Sequence, residues 1–534
     1  MRILARFLAR ISHHHKPRFV RTSYLRPISA LFLLGCCAAS MAAAQQPLSA
    51  IDWLDQASTA AVTTIPRTPL GEPPASDGVD VPPVTVTALD APRADAVGLL
   101  PSTTTGLPAT LWDKSAANDL TRAFAHLEAE PIPAIQALYY TLLLAEANAP
   151  LDAGSDAKFL RARLDALTEF GAIEPAQALS ERAGPMTEVL FDQWFALSLL
   201  LGQEDAACTA LTRKPHLSSD LSARIFCAAR GGDWNTAALT YHSATAINAL
   251  SETDATLLAL YLDPALIDET DAPEPPPDLT ALQFRLFEAI GTALPTHNLP
   301  RAFAMADLRG TSGWKAEIEA AERLARTGAV PAARLLGLYT ERRPAASGGV
   351  WDRVAAVQAL DRTLSEGATE ALTEALPTAW RAAREEHLEV VFAELFAERL
   401  AALDIPVSIR SQVFEIMLLS SQYEQAAALL ATPTPDQTFL IETARGSPPA
   451  DTALSALQGA IAAGFASEAP APDHQALIDA GRLGEAILAA ARQISHGDAA
   501  RDALTGALAT LRAVGLEDTA RRAALQLLLL ERRG

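Results

Sequence analysis

Seven helix-like runs in this chain stop at a small residue and resume around an alanine five positions later. The pairs are Gly171/Ala176, Gly202/Ala207, Gly232/Ala237, Gly328/Ala333, Ser421/Ala426, Gly481/Ala486 and Gly515/Ala520. Glycine ends a helix because it accepts positive φ without a Cβ clash. An alanine inside the next helix lets two helices approach closely. Each pair therefore predicts a helical hairpin. The junctions fall at about 31 residues or multiples of it, which fits two short helices plus turns. Composition agrees: 49% of residues are hydrophobic and only 6% are aromatic, so alanine and leucine carry the apolar mass. Both are strong helix formers. The fold class expected is all-α, an α-solenoid of stacked hairpins, with an extended Pro-rich N-terminal segment.

The junctions also resemble those of tetratricopeptide (TPR) repeats, which often read Gly-Asp-Tyr-x-x-Ala followed by a leucine. Gly232-Asp233-Trp234-Asn235-Thr236-Ala237 is the nearest copy, and Ser421-Gln422-Tyr423-Glu424-Gln425-Ala426 follows it. Leu179, Leu211, Leu239, Leu336, Leu429 and Leu488 occupy the trailing position. The Trp, Leu-Gly and Tyr pattern of the first TPR helix is mostly missing. The resemblance implies TPR-like hairpins forming a superhelix whose surface holds peptides or partner proteins.

The N-terminus reads differently. Arg2, Arg6, Arg10, Lys16, Arg18, Arg21 and Arg26 precede an apolar run from Ile28 to Leu34, and Ala42-Ala43-Ala44 stands before Gln45. This order of basic, apolar and small residues predicts a signal peptide over 1–44, cleavage after Ala44 and a periplasmic location. Leu33-Leu34-Gly35-Cys36 offers a rival: a lipobox with Cys36 acylated. No membrane span is expected in the mature chain. Residues 45–110 are rich in Pro and Thr, which bars a continuous helix and predicts a linker or a strap over the helical body. Helical patterning then runs over 111–262 and 279–534, divided by an acidic Pro-rich hinge at 263–278.

The formal net charge is −20, and removing the basic leader makes it more negative. Such a surface repels phosphate backbones, so nucleic acid is not an expected partner. Of four cysteines, only Cys208 and Cys227 lie beyond the leader. They sit on consecutive predicted helices. A disulfide between them and two separate buried thiols are both compatible with the sequence.

Catalytic patterns are few. Ser312-Gly313-Trp314-Lys315 matches the Ser-x-x-Lys of penicillin-recognising enzymes, but no Ser-Asp-Asn or Lys-Thr-Gly accompanies it. Ser312 is read instead as a helix cap. Lytic transglycosylases, which act on cell-wall glycan, can carry helical superhelices, yet their Glu-Ser dipeptide occurs nowhere here. A glycan-associated protein related to that superhelical part, without a catalytic domain, is the alternative function. The Glu385–Glu389 stretch around His387 reads as a solvated helix face. No cofactor or metal is expected. One loop gathers cations in an acidic chain: Arg342, Arg343, Trp351 and Arg353 form a candidate site for a carboxylate or peptide. The leading expectation is a non-enzymatic interaction protein with a peptide or protein partner in the cell envelope.

Overall fold

The computed structural model describes residues 93–495 and 501–530. The leader with Cys36 and Cys37, the predicted cleavage after Ala44, most of the Pro-rich segment, and His496 lie outside the described residues. Within them the chain is all-α. Its helices are α1 (Ser102–Thr105), α2 (Ala117–Ala125), α3 (Pro133–Leu144), α4 (Lys158–Glu169), α5 (Ile173–Ala183), α6 (Phe191–Leu201), α7 (Asp205–Arg213), α8 (Leu221–Arg230), α9 (Trp234–Ala246), α10 (Glu252–Leu262), α11 (Ala281–Ala289) and α12 (Ala304–Asp307). They continue as α13 (Trp314–Ala325), α14 (Ala332–Glu341), α15 (Val350–Glu366), α16 (Leu372–Glu385), α17 (Glu389–Ala401), α18 (Arg410–Leu418), α19 (Pro435–Arg445), α20 (Ala456–Ala466), α21 (Pro472–Asp479), α22 (Leu483–Ser495), α23 (Arg501–Ala513) and α24 (Glu517–Leu529). No β-strand occurs among the described residues; one isolated bridge pairs Leu100 with Ala145.

Every junction marked in the sequence joins two consecutive helical segments that pack together: α4/α5, α6/α7, α8/α9, α13/α14, α18 with the 3-10 segment Tyr423–Leu429, α21/α22 and α23/α24. The six junction glycines all have positive φ, from 68° at Gly328 to 87° at Gly515. Six of the seven alanines have no exposed surface. Two junctions depart from the pattern. At Gly328, Pro331 stands just before α14, and Ala332 rather than Ala333 is buried. At Ser421 the chain does not enter the left-handed region, and the segment that follows is 3-10 instead of α. A Cβ-bearing residue resists that conformation, so the reversal is made differently.

Junction glycines also seat neighbouring hairpins. A Cβ on Gly171 would lie 2.5 Å from Leu324 Cδ2, and one on Gly202 would lie 3.0 Å from Arg309 Cδ.

The described part of the Pro-rich segment lies on the helical body. Arg163 of α4, 1% exposed, fastens it: Nη1 donates to Val97 O at 2.6 Å, while Nε and Nη2 donate to Leu143 O and Ala145 O at 2.6 and 3.2 Å. Burial pulls this guanidinium down to about 10, with Asp95 opposing the shift. A Cβ on Gly98 would lie 2.2 Å from Glu146 N, so only glycine fits beneath the end of α3.

After the acidic segment Asp263–Asp278, α11 packs on α6 and α10. Early and late helices also meet: α3 contacts both α22 and α24. Trp112 lies against Gly484 of α22, where a Cβ would sit 2.2 Å from the indole ring. The largest apolar cluster therefore joins Leu111, Trp112 and Tyr139 near one end to Leu488, Leu508 and Ala524 near the other. Among the described residues, no helix is long and apolar enough to cross a membrane.

Candidate binding cleft

The four residues of the cationic loop part company in the structure. Arg353, 9% exposed, is held bidentately by Glu322, with Nε–Oε1 and Nη2–Oε2 both 2.6 Å, and its Nη1 lies 3.0 Å from Glu386 Oε1. Tyr339 donates its hydroxyl to the same Glu322 at 2.6 Å. Burial acts to lower Arg353, but the hydrogen bonds and charge of Glu322 outweigh it and hold the guanidinium above its ordinary value. Trp351 packs against Trp314, ring centroids 5.1 Å apart. Arg342 pairs with its exposed neighbour Glu341 at 2.8 Å, and Arg343 is exposed. The buried periodicity Val350, Val354, Val357 and Leu360 puts Arg353 on the inward side of α15. That spacing is legible in the sequence and separates Arg353 from its loop neighbours.

Cys208 and Cys227 are joined in a disulfide, S–S 2.01 Å and Cα–Cα 4.8 Å, which ties α7 to α8. Ser312 does not cap α13. Gly313 holds the N-cap position, and the Ser312 hydroxyl lies 2.7 Å from Asp307 Oδ1. The helix starts one residue later than the sequence suggests, so the hydroxyl turns to the preceding acid.

A larger feature lies where α3 and α24 meet. A cleft of about 490 Å³ opens between them, with a further wall from the end of α13 and the start of α17. From α3 come Pro133, Gln136 and Tyr140, at helical spacings of three and four. From α24 come Asp518, Arg522 and Gln526, each four apart. Gln526 Oε1 accepts from Ala134 N at 2.7 Å, so α24 satisfies one of the open amides at the start of α3.

One side chain on the α3 wall lacks partners. Gln136 is 3% exposed, and neither its amide nitrogen nor its oxygen makes a hydrogen bond. The shielded Tyr140 hydroxyl is turned toward Thr327, and burial, outweighing that neighbour, pushes its pKa above the ordinary value. A buried carboxamide without partners costs about 1–3 kcal/mol. The α24 wall is better satisfied. Asp518 accepts from Tyr423 at 2.7 Å, and Arg522 Nε stands 3.0 Å from Asp518 Oδ2, with its guanidinium 5.7 Å from the Tyr423 ring. Opposite, His387 adopts φ 53°, a left-handed conformation uncommon for a residue with a Cβ. Chemically, the cleft offers the Gln136 amide beside the Asp518–Arg522 ion pair, with Arg326, itself paired with Glu386, on another wall.

Sequence reasoning missed this site because its walls come from segments far apart in sequence, α3, α13, α17 and α24. A signal was present: Gln136 is an isolated amide in the otherwise apolar run of α3. Among the described residues, no group of three or more His, Cys, Asp or Glu side chains could hold a metal ion. Compared with known proteins, the chain matches no family model, no curated protein and no solved structure.

Proposed function

We propose that this is a non-enzymatic scaffold of the periplasm that holds a peptide segment of a partner in the α3–α17–α24 cleft. The observation that carries the reading is the buried, unpartnered Gln136 carboxamide in the cleft wall. A carboxamide offers one acceptor and two donors, the same pair of functions that a peptide unit presents in reverse. A bound main chain carries the two complementary functions, and pairing with it requires the Gln136 side chain, 3% exposed, to turn toward the cleft. On this reading the hairpins are degenerate TPR-like units of a solenoid whose ends have been drawn together. The Cys208–Cys227 disulfide and the leader support export, because disulfides persist in oxidising compartments. Asp518 and Glu394 both border the cleft, but Asp518 is engaged by Tyr423 and Arg522, which favours a binding role over acid catalysis.

Gln136→Leu tests the proposal. Filling the site with an apolar group of similar size removes an unsatisfied amide, so the variant is expected to gain about 1–3 kcal/mol in urea unfolding. Peptides captured by wild-type protein from a random library are expected to bind the variant at least about tenfold more weakly. Equal affinity, or no peptide bound by wild type, overturns the reading. Purified peptidoglycan run in parallel tests the glycan-associated alternative: retention by wild type, lost in the variant, would replace peptide with glycan.

A further inference from the structure

A second cleft, of about 400 Å³, lies between the C-terminal end of α6, α11, α12 and α14. Three arginines from separate elements converge on it: Arg285 of α11, Arg309 just beyond α12, and Arg334 of α14. Such a cluster is unexpected in a chain with 63 acidic against 43 basic side chains.

Two of the three carboxylates nearby are shared. Glu288 takes both Arg285, at 2.6 Å, and Arg309. Glu204, fully buried, takes both Arg285 at 2.9 Å and Arg230 at 3.2 Å. Arg334 holds Glu174 at 3.0 Å and turns Nη2 to Leu308 O at 3.3 Å. Each guanidinium carries about five N–H donors. Shared acids therefore leave donors over at Arg309 and Arg334, while Arg285 Nε and Glu204 Oε2 are both buried without a hydrogen-bond partner. Gln203 and Thr311 add neutral donors to the same wall. The arrangement depends on a repeat junction. Gly202 ends α6 with φ 70°, and because it lacks a Cβ the stem of Arg309 can cross directly over it. Arg309 is thus placed by packing, with a side chain only 11% exposed.

We propose that this arginine cleft is a second ligand site, binding a small multiply charged oxoanion through Arg285, Arg309 and Arg334. Planar guanidinium forks suit carboxylate and phosphate oxygens alike, so the shared chemistry is a trigonal or tetrahedral oxoanion. The site is separate from the peptide cleft and does not depend on it.

The test is isothermal titration of the full mature protein with inorganic phosphate and with citrate at constant ionic strength. Wild type, Arg309→Gln, Arg334→Gln and Arg342→Gln are compared. Saturable one-to-one binding of phosphate, citrate or both is expected, weakened at least about tenfold in Arg309→Gln and Arg334→Gln and unchanged in Arg342→Gln. Phosphate alone identifies a phosphoryl ligand, and citrate alone a carboxylate. Arg334 is a third exposed and its glutamate half exposed, so Arg334→Gln keeps the test valid if Arg309→Gln fails to fold. No binding of either anion, or equal binding by wild type and Arg334→Gln, overturns the proposal. Gln136→Leu is expected to leave anion binding unchanged, which separates this outcome from failure of the peptide reading.

Discussion

The seam between α3, α22 and α24 and the edge formed by α7, α8 and α9 are both purely helical, yet they are held in different ways. At the seam, Trp112 is 1% exposed and presses on Gly484, while Gln526 reaches across to the first turn of α3. At the edge, α9 buries only Ala237 and Ala244, leaving Trp234 51% and Leu239 70% exposed. There a disulfide ties the two preceding helices. A helix with neighbours on two sides can be secured by packing alone. A helix at the margin has one packed face, and its hairpin neighbours gain more from a covalent tie.

The largest effect is expected from Trp112→Ala. It empties the contact with Gly484 of α22 and should cost about 3–5 kcal/mol in urea unfolding. A loss below about 1 kcal/mol would show that the seam carries little of the stability.

Removing the disulfide comes next. Cys208→Ser with Cys227→Ser, or reduction of the native protein, should cost about 3 kcal/mol for a loop of this length. Because seam and edge share no partners, the Trp112 and cysteine effects should add to within about 0.5 kcal/mol. A larger coupling would mean that the two regions unfold as one tightly linked unit.

The junctions show how far the sequence carries and where it stops. Gly171, Gly202, Gly232, Gly328, Gly481 and Gly515 are legible because a helix end at positive φ is a local demand, met within a few residues. The closing of the ends is not local. Trp112 and Gly484 meet from segments far apart in sequence, and nothing in either segment names the other. The candidate sites divide in the same way. Cys208 and Cys227 lie on adjacent helices, so their proximity follows from the hairpin pattern. Gln136 shares its cleft with Arg522, and Arg285 shares another with Arg334, through packing between distant helices. Arg353 is intermediate: its own helix places it inward, while its partner Glu322 comes from α13.

A smaller effect should come from mild acid, acting on the seam side. His474 of α21 is 2% exposed and shares a 2.8 Å hydrogen bond with Thr510 of α23. Burial lowers its pKa, and Asp473 opposes this only in part. The unfolded chain then binds the proton more readily than the folded one. Stability is fully present above the unfolded value near 6.5 and is lost as pH falls through the folded value. Hydrogen exchange should show amides of α21 and α23 opening more readily below about pH 6.5, while α8 and α9 are unaffected. His474→Gln should abolish the difference between the two regions.

The smallest effect is expected at Leu239, and it bears directly on the junction pattern. The α8/α9 junction is the nearest copy of the TPR pattern, yet its trailing leucine faces outward. Geometry explains why. Leu179 follows Ala176 by three residues and Leu211 follows Ala207 by four, so each leucine shares a face with its alanine. Leu239 follows Ala237 by only two, about 200° around the helix, and points away from α8. Leu488 has the same spacing from Ala486 but is 2% exposed, because α22 has α21 and α23 beside it and α3 as a further neighbour. Burial at this position is therefore set by how many sides of the helix are covered. Leu239→Ser should change stability by no more than about 0.5 kcal/mol, whereas Leu488→Ala should cost about 2–5 kcal/mol. If Leu239→Ser proved as damaging as Leu488→Ala, a partner or a second copy would have to cover α9, and the edge would no longer be an edge.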